Sequence, residues 1–272
     1  MKGIGLAFAV SIHAAQAFAG CGAVGDPCHV AQGTYLLHLP DGATGPIPAV
    51  MFLHGWGGSA KGTMSNTGMV NAILARGYAV IAPDGEARTD GGEGEEWYFG
   101  FWKGPRDETA FLTSVAEDAA AGHGVDRGRI LLAGFSIGGS MTSYLACATP
   151  AAFAAYAPVA GSFWRPEPEH CAGPVRLLHT HGWTDSTMPL EGRNVGEDDA
   201  TQGDVFEAMD LWRRTNHCDA HRADAFGTEG QLMWRRWTAC TPGSALEFAL
   251  HPGSHKVPEG WANFALDWFE GL

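Results

Sequence analysis

The chain has 272 residues, 45% of them hydrophobic and 17% charged, which is enough for one α/β domain with a large core and too apolar for a disordered chain. A formal net charge of −13 argues against a nucleic-acid partner, because phosphate neutralisation needs clustered Lys and Arg. Acidity on this scale favours solubility and says nothing about substrate.

The first residues, "MKGIGLAFAVSIHAAQAFAGC", place Lys2 before an apolar run that ends in the small-x-small Ala17-Phe18-Ala19. This predicts a signal peptide over 1–19, a mature domain over 20–272 and a secreted or periplasmic location. The run is too short for a good membrane span. The alternative is a loose lipoprotein box, "FAGC", in which a lipidated Cys21 would tie the chain to a membrane. Six cysteines agree with export, since disulfides persist in oxidising compartments. Sequence proximity pairs Cys21 with Cys28, Cys147 with Cys171 and Cys218 with Cys240. None of the spacings resembles a zinc site, so no metal ligand set is assigned.

Residues 33–40 and 49–55 read as strands separated by the turn-rich "DGATGPIP". A helix follows over 69–77, ending at Gly77, and a strand over 78–85. Residues 107–124 read as a helix that Asp107 opens, its carboxylate capping free amides. Further strands are expected over 153–163, 175–182 and 245–255, and amphipathic helices over 203–215 and 260–272. Residues 86–106 and 190–203 read as irregular loops. Strands alternating with helices imply a mainly parallel sheet covered by helices on both faces, in a single domain.

The chemistry centres on "ILLAGFSIGGSM", residues 130–141. An apolar strand turns abruptly into a helix at Ser136, and Gly134 and Gly138 relieve the crowding two residues to either side. Gly139 lets the helix approach the sheet. This is a G-x-S-x-G nucleophile elbow, which lifts the Ser136 hydroxyl above the sheet edge. A serine needs a base, and the base an orienting acid, in the chain order Ser, Asp or Glu, His. "HTHGWTDSTMP" supplies Asp185 after one strand, and "HPGSHKVP" supplies His255 after the last. Asp84 competes as acid but precedes the serine, and His251, His179 and His181 compete as base. The oxyanion is assigned to the amides of Ile137 and Trp56 in "LHGWGGS", with Gly57 as second choice for the latter. These parts predict a serine hydrolase needing no cofactor. An aromatic cluster of Trp97, Tyr98, Phe99, Phe101 and Trp102, with Trp164 and Trp183, is either core packing or a substrate surface. Trp183, Trp102 and Trp164 are the pocket candidates.

Taken together, "LHGWGGS", "GFSIGGSM", "PVAG", "HGWTDSTMP" and "HPGSHKVP" resemble secreted polyhydroxybutyrate depolymerase-like esterases. Those are similar to feruloyl and acetylxylan esterases of carbohydrate esterase family 1. The resemblance spans about residues 30–270. It implies an α/β-hydrolase fold, Ser136, Asp185 and His255 as triad, and a Cys218–Cys240 bridge near the last strand. It also implies an ester substrate, either a polyester oligomer or an acylated plant polysaccharide fragment. The chain departs from the group's usual Gly-Gly-Gly-His-x-Trp-Pro run: Ser254 precedes His255, and Val257 stands in place of the tryptophan. Trp56 occupies the position where some depolymerases carry Cys. Two other readings compatible with the same motifs are a serine peptidase and a non-catalytic binding protein on a hydrolase scaffold.

Overall fold

The computed structural model describes residues 21, 25–100, 102–196 and 200–272. The leader expected over 1–19 lies outside the described residues, as does Phe101. In chain order the elements begin with β1 (Cys28–Val30), β2 (Gly33–His38), β3 (Ile47–Leu53), α1 (Ala60–Met64), α2 (Thr67–Ala75) and β4 (Ala79–Pro83). A small hairpin, β5 (Glu86–Ala87) with β6 (Glu95–Glu96), precedes α3 (Glu108–His123), β7 (Val125–Phe135), α4 (Ile137–Ala148), β8 (Ala155–Val159) and β9 (Arg176–Gly182). A second, β10 (Asn194–Val195) with β11 (Ala200–Thr201), leads to α5 (Val205–Thr215). The chain ends with β12 (Ala225–Glu229), β13 (Leu232–Trp237), β14 (Ala245–His251) and α6 (Trp261–Glu270).

The ten-stranded sheet runs β1-β2-β4-β3-β7-β8-β9-β14-β13-β12. Its centre, from β4 to β14, is parallel, and β1, β2, β12 and β13 add antiparallel edges. Both faces of the central strands are buried, which is why β3, β4 and β8 read as apolar runs. In β3, Ile47, Ala49, Met51 and Leu53 pack toward α3, α4 and α5, while Val50 and Phe52 pack toward α2 and α6. In β7, Ile130 and Leu132 join the first layer, and Leu131 and Ala133 the second. The expected cap of α3 is formed, with Asp107 accepting from the Ala110 amide at 3.0 Å.

Four segments differ most from the sequence expectation. The loops at 86–106 and 190–203 each contain a two-residue-strand hairpin, too short to show periodicity. The strand expected over 153–163 stops at Val159, because Ala160 turns to a φ of 50° and leaves the sheet. Between 216 and 244 no element was expected, yet β12 and β13 form an edge hairpin there. Its solvent face carries Arg235 and Phe226 together, which blurs the alternation.

The disulfides Cys21–Cys28, Cys147–Cys171 and Cys218–Cys240 tie loops to this frame. Near the last of them sits Asn216, which is fully buried. Its side chain accepts from the Val175 amide at 2.8 Å and donates to the Val175 carbonyl at 2.9 Å and the Ala245 carbonyl at 3.3 Å. The end of α5 is thereby fastened to the starts of β9 and β14. Replacing Asn216 with Ala strands these buried groups, so urea unfolding should show a loss of about 3 kcal/mol. A variant as stable as the wild type would contradict that role.

Candidate active site

The parallel strands deliver their C-terminal ends to one edge, where Leu53 pairs beside Gly134, Phe135 beside Val159, and Gly182 beside His251. Ser136 follows β7 directly and takes φ 57° and ψ −122° before α4 begins. For a residue with a side chain this backbone costs on the order of 1–3 kcal/mol and persists only if its surroundings over-determine it. They do: the Ser136 amide donates to the Val159 carbonyl at 2.9 Å, and its own carbonyl accepts from Ser140 at 2.9 Å. A Cβ on Gly134 would sit 2.3 Å from the Gly138 carbonyl oxygen, and one on Gly138 would sit 2.5 Å from the carbonyls of Leu53 and His54. Only glycine permits that approach.

His255 and Asp185 reach Ser136 from the turns after β14 and β9. The Ser136 Oγ lies 2.9 Å from His255 Nε2, and His255 Nδ1 lies 2.7 Å from Asp185 Oδ2. With Asp185 ionised, Nδ1 carries the proton and donates to it, which leaves Nε2 to accept from the serine hydroxyl. The second carboxylate oxygen accepts from the Thr187 and Met188 amides, each at 2.9 Å. Burial opposes ionisation of Asp185, but the bonds from His255 and the Met188 amide outweigh it and hold the carboxyl below its ordinary range. The two turns are also sewn together: the Trp183 amide donates to the His251 carbonyl at 2.8 Å and the Thr184 amide to the Gly253 carbonyl at 3.2 Å. The Phe135 ring backs the His255 imidazole, with centroids 4.7 Å apart.

The turn after β3 lies across α4. Among the described residues, no acceptor is paired with the amides of Trp56 and Ile137. Gly57 does not share this freedom, and the second choice is corrected: its amide donates to the Glu95 carbonyl at 2.9 Å. The Glu95 amide in turn donates to the Gly58 carbonyl at 3.1 Å. Sequence reasoning left this support inside an irregular loop. Trp97 Nε1 donates to the His54 carbonyl at 3.0 Å, and His54 Nδ1 donates to the Gly55 carbonyl at 2.8 Å. The Gly85 amide is shared between His54 Nε2 at 3.1 Å and Glu95 Oε2 at 2.9 Å. The result is a braced turn on which the Trp56 amide is left without an acceptor among the described residues.

The competing candidates have other occupations. Asp84 accepts from the Ala60 amide and the Thr34 hydroxyl, both at 2.8 Å, and so shapes a loop. His251 accepts from the Gly253 amide at 3.1 Å, while His179 and His181 bond to each other beneath the acid turn. Trp164 is 2% exposed and packs in the core against Trp102, 4.8 Å between centroids, which corrects its place as a pocket residue. Trp102 lines a cavity of about 500 Å³ with Tyr98, Phe99 and Tyr144, away from the hydroxyl of Ser136. Trp97 and Phe99 are buried packing residues as well. Trp183 and Trp56 remain at the surface, 59% and 58% exposed, on the turns that carry Asp185 and the free amide.

Residues 33–168 match the Esterase PHB depolymerase family. The chain belongs to that family. It is therefore a carboxylic ester hydrolase. A relative named "Probable feruloyl esterase C", from Aspergillus terreus, is 27% identical over 84% of this chain and 78% of its own length. Feruloyl esterase C of Emericella nidulans is 28% identical over 58% of this chain and 57% of its own. The fold is similar to that of the acetyl xylan esterase from Aspergillus awamori, with a TM-score of 0.63 at 13% identity, covering 88% of this chain and 94% of that one. Both faces of the mainly parallel sheet are covered as in an α/β-hydrolase fold.

The lowered carboxyl of Asp185 makes a prediction about acid stability. Its folded-state pKa lies below the unfolded value of about 3.9, so its ionised form stabilises the fold above that value, and the contribution fades as pH falls through the folded pKa. Thermal melts from about pH 5 downward should therefore show the wild type losing stability more steeply than Asp185→Asn. Parallel curves would mean that the carboxylate gains nothing from its partners.

Proposed function

We propose that this esterase is exported and uses Ser136, His255 and Asp185 as a catalytic triad, with the amides of Trp56 and Ile137 as its oxyanion hole. The observation that carries the proposal is the continuous hydrogen-bonded path from Ser136 Oγ through both nitrogens of His255 to Asp185 Oδ2. Neutral His255 takes the serine proton as Oγ attacks the ester carbonyl, and Asp185 stabilises the imidazolium that forms. The oxyanion then meets two amides that already lack acceptors, so they need no reorganisation. Collapse of the tetrahedral intermediate expels the alcohol, protonated by His255. Water activated by the same imidazole releases the acid, and no step calls for a metal or an organic cofactor. Three disulfides support an extracytoplasmic setting.

For the substrate we favour an acylated plant polysaccharide fragment. The relatives named as feruloyl esterases support this, as do two exposed tryptophans, Trp56 and Trp183, on the turns beside Ser136. Their faces suit an aromatic acyl group or a sugar ring. A polyester oligomer is the second reading, favoured by the family match over 33–168.

The test compares hydrolysis of methyl ferulate with that of a 3-hydroxybutyrate oligomer, each corrected by Ser136→Ala. The variant should lose roughly 10⁶-fold in kcat on the true substrate class. Ferulate preference supports the polysaccharide reading, and oligomer preference the polyester one. Peptide turnover that disappears in the same variant would move the activity to a peptidase.

A further inference from the structure

Asp185 is aimed by a turn, and turns are the least rigid parts of a fold. Beside the backbone bonds it shares with the base turn, this one is held at Met188, a backbone unit gripped from both sides. Its amide donates to Asp185 Oδ1 at 2.9 Å, and its carbonyl accepts from His181 Nε2 at 2.7 Å. The neighbouring Thr187 carbonyl receives only Arg193, an exposed side chain. His181 stands on β9, in the middle of the sheet, and is fully buried. It is therefore a buried side-chain link between a rigid strand and the acid turn.

We propose that His181 is a positioning residue for the esterase reaction, holding the Met188 carbonyl so that Asp185 faces His255. This rests on the triad reading given above. The hydrogen-bond chain also selects the imidazole's tautomer. Facing a carbonyl, Nε2 must carry the proton, so Nδ1 presents a lone pair, and His179 Nε2 lies 3.0 Å from it as donor. The two rings are nearly parallel, 6° apart, and the Phe248 ring closes the far side of His179. Burial pushes the pKa of both imidazoles down, which suits neutral rings. Neutrality matters at this spot, because His181 Nε2 is only 3.6 Å from Asp185 Oδ2, the oxygen that His255 uses. A cation there would compete with His255 for the carboxylate. His181 makes no hydrogen bond to the serine hydroxyl or the His255 ring, and the hydrogen bond by which it acts is the one to the Met188 carbonyl.

The test replaces His181 with Leu, Gln and Asn and follows p-nitrophenyl acetate hydrolysis, with melting temperature as the measure of folding. Gln carries its amide N–H about where Nε2 stands; Asn ends one bond short. His181→Leu and His181→Asn should lose about 10–100-fold in kcat with KM within about threefold, the size expected for an ångström-scale misplacement. His181→Gln should recover to within about fivefold of wild type. Should the Leu variant not fold, the comparison of Gln with Asn carries the same question. In an Asp185→Asn background, His181→Leu should cost less than about threefold more, because its effect is already spent. Full additivity in that background overturns the proposal, as does a folded Gln variant no better than Asn. Wild-type kcat in Asp185→Asn alone would instead overturn the triad reading, a result separable from both of these.

Discussion

The site depends on one unfavourable piece of backbone. Ser136 holds a positive φ at the junction of β7 and α4, and it can do so only because β3 and β8 crowd it from either side. The Val159 carbonyl fixes its amide, and the carbonyls of Leu53 and His54 come so close to Gly138 that no side chain fits between. The strain is small beside the burial of the surrounding strands, whose central residues are almost wholly removed from water. From this junction follow the position of the Ser136 hydroxyl against His255, the free amide of Ile137 and the direction of α4.

The other parts arrive on turns, and the molecule compensates for their mobility by bonding the turns to one another. The acid and base turns share two backbone bonds, between Trp183 and His251 and between Thr184 and Gly253. The turn bearing Trp56 is braced by the β5–β6 hairpin through reciprocal bonds between Glu95 and the Gly57–Gly58 stretch. Each brace starts from a strand end, so the rigidity of the sheet is passed outward. Sites supported this way keep near-attack geometry without help from the substrate.

Electrostatics at the edge is organised by burial. Asp185 stays ionised in a largely buried place because amides and an imidazole surround it. The histidines beneath it, also buried, are held neutral because desolvation outweighs even the Met188 carbonyl and the Asp185 charge beside His181. Charge is thus confined to the one carboxylate that faces His255, and low dielectric strengthens that single interaction.

Much of this was legible in the residues. Apolar runs located β3, β4, β7 and β8, because a strand buried on both faces admits few polar positions, while β9 and β14 showed shorter apolar stretches that share the strand with buried His179, His181 and Glu247. Gly134, Ser136 and Gly138 marked the elbow because the steric demand there falls on the nearest neighbours in the chain. Asp185 and His255 could be named because strand-end loops in this order must meet at one edge. What the residues did not disclose depends on pairing between distant segments. That Glu95 occupies the Gly57 amide and that Trp164 is core are set by partners tens of residues away, and that β12 and β13 extend the sheet is set by the pairing of β13 with β14. Local propensity carries no record of such contacts, and two-residue strands leave no periodicity to read. The sequence by itself determined most of the sheet's buried strands and marked Ser136, Asp185 and His255, whose side chains meet at the sheet edge. The tertiary structure alone decided which amides stay free, which aromatics face solvent and what holds the acid in place, because those outcomes follow from who reaches a shared backbone group first in space.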